Sequence, residues 1–521
     1  METSVTEPDS RLILSVGIAL LAIAPLWPLP IDFWDGRVLD YAFANHDFRG
    51  LKPWLFGSRW YLAYYLDLAI NTVSDFTTVS YRFWITAVAS LAIVGVAVEV
   101  FYYAERTLRL TPRYTLLAAW LALLFPAWHT LAASVMLIFI ICVWLVSLGY
   151  RLTLHSHIMT RCTGVVVVLL SFQLNSNCSF IIGLCLAECI FDFLHSGTIR
   201  RATWLRGVLL SVWALVTLLA IKLWLPPYGL YADYNHIALP HSLHDCLPFI
   251  LRTIDFLAWP MIFLMVPVIG YLAVWLYNRK LADIASLPRA LHAECGTALA
   301  LACLTAAATL PYIAVLKSSH IYDYNDWSQR HAYLLCIPLS LMLAWMSQIA
   351  TASLKDAKGT VLIPLLALLS FAVPLYIGYS HKVERASFEL DVIEALKTKV
   401  APPDGIVNIH YPDMADMTLR DYEASWLLWR AYHLRKWVAG FGHRLPVGHM
   451  EIPPLTQQVL AAKNPAVNLV YLLPDSTKIV CDTDIFLSGQ RLATATAWKW
   501  LFGLSPLPAF SISSETVQCV K

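Results

Sequence analysis

Charge is what this 521-residue sequence has least of: 14% of its residues are Asp, Glu, Lys or Arg, where a soluble domain carries about 25%. The scarcity is uneven. The central portions of the long apolar runs hold no Asp, Glu, Lys or Arg apart from Glu188. Proton- and ion-coupled transporters carry such groups at mid-membrane depth, so their scarcity argues against that class. A net charge of +2 leaves no electrostatic footprint for nucleic acid. There is no P-loop, no dinucleotide fingerprint and no Cys/His cluster with zinc-ligand spacing. The first apolar run, 12–29, lacks a small-residue cleavage site and follows acids (Glu2, Glu7, Asp9), so it reads as a retained span.

What the sequence does have is apolar length. Hydrophobic residues make up 58% of the chain, and 20 tryptophans suit a lipid–water boundary. Apolar runs fall near 12–29, 80–104, 114–130, 132–150, 163–175, 178–194, 204–224, 254–277, 296–316, 331–350 and 358–379. A spanning helix needs about 17–25 residues, and the expected fold is a polytopic α-helical membrane protein with about eleven such helices. Basic residues orient it. One alternating set of connections carries Arg106, Arg109, Arg113, Arg151, Arg161, Arg200, Arg201, Arg206, Arg279, Lys280, Arg289, Lys355 and Lys358. The opposite connections carry Arg252, Lys317 and Arg330. The positive-inside rule puts the first set, and the N-terminus, in the cytoplasm. A bacterial inner membrane is the expected location.

The same rule settles two ambiguous stretches. Residues 163–194 are flanked by basic residues on both sides, so the chain must turn back, and Asn175-Ser176-Asn177 supplies the turn. Segment 57–73 would invert every later loop if it crossed, so it reads as an interfacial helix on the outer face. The expected division is a transmembrane domain over 1–380, with a first outer loop at 30–79, and an extracytoplasmic α+β domain over 381–521. In that tail, helices are expected at 384–399 and 416–438, and strands at 405–412, 468–474 and 478–487. The aromatic stripe Trp426, Trp429, Tyr432, Trp437 reads most simply as core or as a membrane-docking surface.

Acidic residues gather in three outer loops: 30–77, 225–253 and 317–330. Where the chain leaves the first span, Asp32, Asp35 and Asp40 lie within nine residues. A desolvated carboxylate there can deprotonate a hydroxyl, with Asp35 and Asp40 the catalytic candidates. Pairing of either with Arg37 is the plainer reading. A divalent cation (Mg or Mn) held against phosphate oxygens is compatible with the sequence but not required by it. Arg330, at headgroup depth, suits bidentate phosphate binding, with His331 and Lys317 beside it; a snorkelling helix-end arginine looks the same. Tyr324 and Trp327 in the fifth loop, and Tyr231, Asp233 and His236 in the fourth, are candidates for an acceptor or sugar face. Aromatic-belt residues share that texture.

This layout resembles the GT-C glycosyltransferases: an N-in first span, an acid at the start of a long first outer loop with interfacial helices, many spans and an outer C-terminal domain. The likeness covers about residues 10–380, and Asp35-Gly36 stands where many members have Asp-Glu. The resemblance implies transfer of a sugar from a polyprenyl-phosphate donor to a glycan, lipid or protein acceptor at the extracytoplasmic face. Asp35 or Asp40 would be the base and Arg330 would neutralise the leaving phosphate. A polymerase or ligase of undecaprenyl-diphosphate-linked glycans, and a non-enzymatic lipid-glycan flippase or scaffold, are the alternatives.

Nine of the eleven cysteines lie in or beside apolar runs, leaving Cys481 and Cys519 in the tail. Two such thiols in an oxidising compartment suggest a disulfide, worth about 3–4 kcal/mol by chain-entropy reasoning. Thiol counting on protein purified without reductant should find both blocked until reductant is added; two free thiols would remove the bond.

Overall fold

The computed structural model describes residues 10–23, 29–33, 35–225, 247, 250–251, 254, 258, 262–273, 294–315, 317, 328–354, 359–399, 406–410, 421–433, 438–441, 482–488, 494–502, 504 and 511–516. Among them, eight helical segments are long and apolar enough to cross a membrane. They are Tyr81–Arg106 (α5), Pro112–Ala132 (α6, Pro112–Leu123, with a 3-10 extension), Ser134–Thr153 (α7, Leu137–Thr153, after a 3-10 turn), Ser176–Leu194 (within α9, Ser176–Ser196), Arg201–Trp224 (α10), Cys295–Ile313 (α12), Ser328–Ala352 (a 3-10 segment and most of α13, Cys336–Leu354) and Val361–Lys399. The protein is therefore a helical, membrane-embedded chain. Three of the eleven expected runs are shorter helices among the described residues: Ser10–Ile23 (α1), Ile158–Ser171 (α8) and Ile262–Ala273 (α11). The 14 residues of α8 reach about 21 Å, less than the roughly 30 Å hydrocarbon core.

The turn expected at 175–177 joins α8 to α9. Asn177 ties it down by donating its side-chain amide to the carbonyls of Ser171 and Cys142, both at 3.0 Å. α8 lies tightly against α7 because both helices have glycine at the crossing. A Cβ on Gly149 would come within 2.7 Å of the Val168 nitrogen, and one on Gly164 within 2.8 Å of the Gly149 oxygen.

The first loop folds as three helices, Gly36–Asn45 (α2), Phe48–Gly57 (α3) and Tyr61–Thr77 (α4). α4 is inside out by the standard of a soluble helix. Asp67 and Asn71 are buried with Ala63 and Ile70, whereas Tyr65, Val73 and Phe76 are exposed. Polar groups inward and large apolar groups outward is the pattern expected where the surrounding solvent is lipid.

The last apolar run does not stop at 380. Gly359–Lys399 is one helix of 41 residues (α14), about 60 Å long and twice the hydrocarbon thickness. The boundary expected at 380/381 thus falls inside a helix, and the helical pattern at 384–399 is its second half. Asp421–Tyr432 (α15) and Thr494–Leu501 (α16) pack on that second half and share one continuous core with the membrane helices. The Trp498 indole donates to the Ser380 hydroxyl at 2.9 Å. Trp426 and Trp429 belong to this core, their rings edge-on to Tyr41 of α2 at 5.5 and 5.3 Å.

The helix expected over 416–438 is shorter than its pattern. His433, with φ of 56°, lies in the left-handed region just after α15. Val438–Phe441 is a strand (β2) that pairs in parallel with Ile406–His410 (β1), so ladder pairing overrides local preference there. Asp482–Ser488 (β3) and Ser511–Thr516 (β4) complete a sheet of order β2-β1-β3-β4, parallel except for the antiparallel β3–β4 pair. The strand expected at 468–474 lies outside the described residues.

α2 touches both α14 and α15, so the first loop and the chain beyond the last span lie on one membrane face. α5 and α7 start at that face and end at the other, where Arg151 and Glu99 pair at 2.6 Å. Reporters fused after residue 402 and within 154–157 should therefore read opposite sides, the first extracytoplasmic by the distribution of basic residues. Identical readings would overturn this topology.

Candidate functional site

The first loop is held by two buried ion networks. Asp32, fully buried where the chain leaves α1, accepts hydrogen bonds from the backbone N–H groups of Phe33 (2.8 Å) and Ser134 (3.1 Å) and from the Ser134 hydroxyl. Its closeness to the start of α2 explains the residue after Asp35. A Cβ on Gly36 would lie 2.2 Å from an Asp32 carboxylate oxygen and 3.1 Å from the Ser134 nitrogen. A second carboxylate at this position, as in the Asp-Glu pattern, has no room here.

Arg82, in the first turn of α5, reaches the same place. It donates to the Leu29 carbonyl at 2.7 Å and lies 3.4 Å from Asp40 and 3.6 Å from Asp32. Asp40 also accepts from the Tyr81 hydroxyl at 2.5 Å and from Arg430 of α15 at 2.6 Å. Burial alone would raise the Asp40 pKa, but Arg82, Arg430 and Tyr81 hold it below the ordinary carboxylate value. Asp32 goes the other way: burial pushes its pKa up against the pull of Arg82 and Ser134.

One turn along α2, Arg37 points into the second network. It meets Glu389 of α14 at 2.5 Å and donates to the Glu423 carbonyl of α15 at 3.1 Å. Arg385 bridges the same two acids, 2.8 Å from Glu389 and 2.7 Å from Glu423, and lies 5.5 Å from the Phe33 ring centre. Two cations and two anions, all buried, close on one another. Arg37 thereby serves the tail, where the sequence suggested pairing with Asp35 or Asp40. Asp35 begins α2 half-buried, and its side chain makes no capping hydrogen bond to the helix.

The phosphate-binding candidates form a separate group. Arg330 and His331 are buried in the 3-10 segment Ser328–Leu335, with the His331 ring 5.0 Å from that of Tyr312 in α12. The Lys317 backbone N–H donates to the Tyr312 carbonyl at 2.9 Å. The short 3-10 turns at 126–136 run between the two groups. There Ser134 binds Asp32, while the His129 imidazole bonds Gln329, the neighbour of Arg330, at 2.7 Å. Tyr231, Asp233, His236, Tyr324, Trp327, Cys481 and Cys519 lie outside the described residues.

Asp67, Arg82, Ser134 and Arg430 were not singled out in the sequence, although the first two carried a signal. Asp67 is the one acid within the apolar segment 57–73, and Arg82 opens a span as Arg330 does. Asp67 is 5% exposed. It lines a narrow cleft of about 10 Å³ with Ser134, walled by Leu39, Leu55, Trp60 and Ile138. Burial, and then the charge of Asp32, push its pKa well above the carboxylate range. Among the described residues, no group of three or more His, Cys, Asp and Glu side chains is arranged to hold a metal ion. Comparison of the chain with protein-family models, curated proteins and solved structures finds no match.

Breaking the second network should be costly. Glu389→Ala leaves Arg37 and Arg385 sharing one anion in a buried site. The expected loss is about 3–5 kcal/mol, read as a lower thermal midpoint in detergent and early proteolysis of the first loop. An unchanged midpoint would mean that the network does not hold the loop.

Proposed function

We propose that this protein is an inverting membrane glycosyltransferase that moves a sugar from a polyprenyl-phosphate donor to a glycan, lipid or protein hydroxyl at the extracytoplasmic face. The observation that carries the reading is the setting of Asp35. It begins a short helix at the exit of the first span, three residues after Asp32 and five before Asp40, and both of those acids are locked by hydrogen bonds and ion pairs. A catalytic group gains most when its backbone cannot drift.

In this reading Asp35 takes the acceptor proton as the acceptor oxygen attacks the anomeric carbon. The bond from that carbon to the donor phosphate breaks, and the phosphate leaves with the electron pair. Arg330, with His331 and Lys317 near it around Tyr312, neutralises the departing charge. Asp40 serves as an anchor, because a carboxylate held by Arg82, Arg430 and Tyr81 is a weak base. The exposed apolar faces of α5 and α10 leave room for a lipid tail between spans. The gathering of Arg330 and His331 also supports a second reading, a ligase or polymerase of lipid-diphosphate-linked glycans that relies on those residues instead of an acid.

The test is release of free polyprenyl phosphate from a panel of lipid-linked sugars by purified protein. Asp35→Asn should lower turnover about 10²–10⁴-fold with folding intact. Arg330→Ala should weaken donor binding as well as transfer, since a charged hydrogen bond is lost in both states. Asp40→Asn should act through stability. Full activity in Asp35→Asn with loss in Arg330→Ala would favour the ligase reading, and no consumption of any donor would end both.

A further inference from the structure

The cleft behind the first loop has an unusual polar inventory. Asp67 is nine-tenths buried, and no cation or hydrogen-bond donor among the described residues meets its carboxyl group. The walls contributed by α2, α3 and α7 are Leu39, Leu55, Leu137 and Ile138, which carry no charge. The one charged group acting on it is Asp32, an anion that is itself close to Arg82. A carboxylate in that setting is opposed by both desolvation and like charge.

The other polar side chains on the cleft wall are the Trp60 indole, which can only donate, and Ser134, the one further acceptor among them. Its hydroxyl proton is committed to Asp32 and so is its backbone N–H, so toward the cleft it offers only oxygen lone pairs. Whatever binds must therefore donate to Ser134. A neutral Asp67 needs an acceptor for its own proton. A volume of about 10 Å³ suits a water-sized group. Water meets both demands at once, whereas an ammonium group can only donate.

We propose that this cleft is a hydration site in which Asp67, held as the neutral acid, donates to one bound water and that water donates to Ser134, giving a chain Asp67–water–Ser134–Asp32. The chain ends at an anchor acid three residues from Asp35, so the proton on Asp67 and the charge on Asp32 are coupled. Asp67 is a positioning residue in this arrangement. The inference stands independently of whether a sugar is transferred.

Infrared spectroscopy of the full-length protein in lipid tests it. At pH 7 the protonated-carboxyl region should contain a band that shifts in D₂O and vanishes in Asp67→Asn, apart from any signal of Asp32 and Asp391, whose pKa values burial also raises. Ser134→Ala should move that band, because the water loses its acceptor. Melting gives a second readout. The folded pKa of Asp67 lies above its unfolded value, so its contribution to stability is full below about pH 4 and is lost as pH rises toward the folded pKa. Asparagine mimics the neutral acid, so Asp67→Asn should melt at or above the wild-type temperature at pH 8, with a smaller fall between pH 5 and pH 8. Absence of the band at pH 7, its survival in Asp67→Asn, indifference to Ser134→Ala, or a lower melting temperature of Asp67→Asn at pH 8 would each overturn the proposal.

Discussion

Arg37, Arg385, Glu389 and Glu423 form the contact on which the rest of the outer face depends. Each is buried, so each has lost water that only an opposite charge can replace. Two cations and two anions balance, and the bridging is mutual: both arginines reach both acids. The energetic consequence is asymmetric. The closed set is tolerable in a dry core, but removing one member strands its partners. The first loop, the far half of α14 and α15 are therefore committed to one another, and Trp426 and Trp429 on Tyr41 fill the space around the commitment with apolar surface.

The second network does the same for the backbone on either side of Asp35. Asp32 is held to the 126–136 turns by Ser134, and Asp40 is held to α5 by Tyr81 and Arg82 and to α15 by Arg430. The acids of the first loop are thus not equivalent. Asp32 and Asp40 act as framework, Asp35 sits between them at the half-exposed start of α2, and Asp67 faces a cleft behind them. Four carboxyl groups of one chemical type take on different roles because their surroundings offer different donors.

The turns at 126–136 deserve their irregular geometry. A regular helix would turn its side chains around an axis, whereas these short 3-10 pieces let Ser134 reach Asp32 and His129 reach Gln329 on two different elements. One connection of the chain thereby touches both the acid-bearing loop and the arginine-bearing segment.

Much of this was legible in the sequence. Long apolar runs dictate helices in a bilayer, because a backbone without water must satisfy itself, and basic residues bias the loops that follow them. The turn at 175–177 and the helix within 57–73 came from those local rules. Local rules recognised the helical pattern of 384–399 but not that it continues the last span as one helix, α14, packed against α2, α15 and α16. Nor could they rank Asp32, Asp35, Asp40 and Asp67, because a carboxyl group's basicity depends on partners that are distant in sequence: Arg82 and Arg430 for Asp40, Ser134 for Asp32. Composition and periodicity determined the solvent and the elements. Burial and charge pairing, which exist only once the chain is folded, decided what each acid can do.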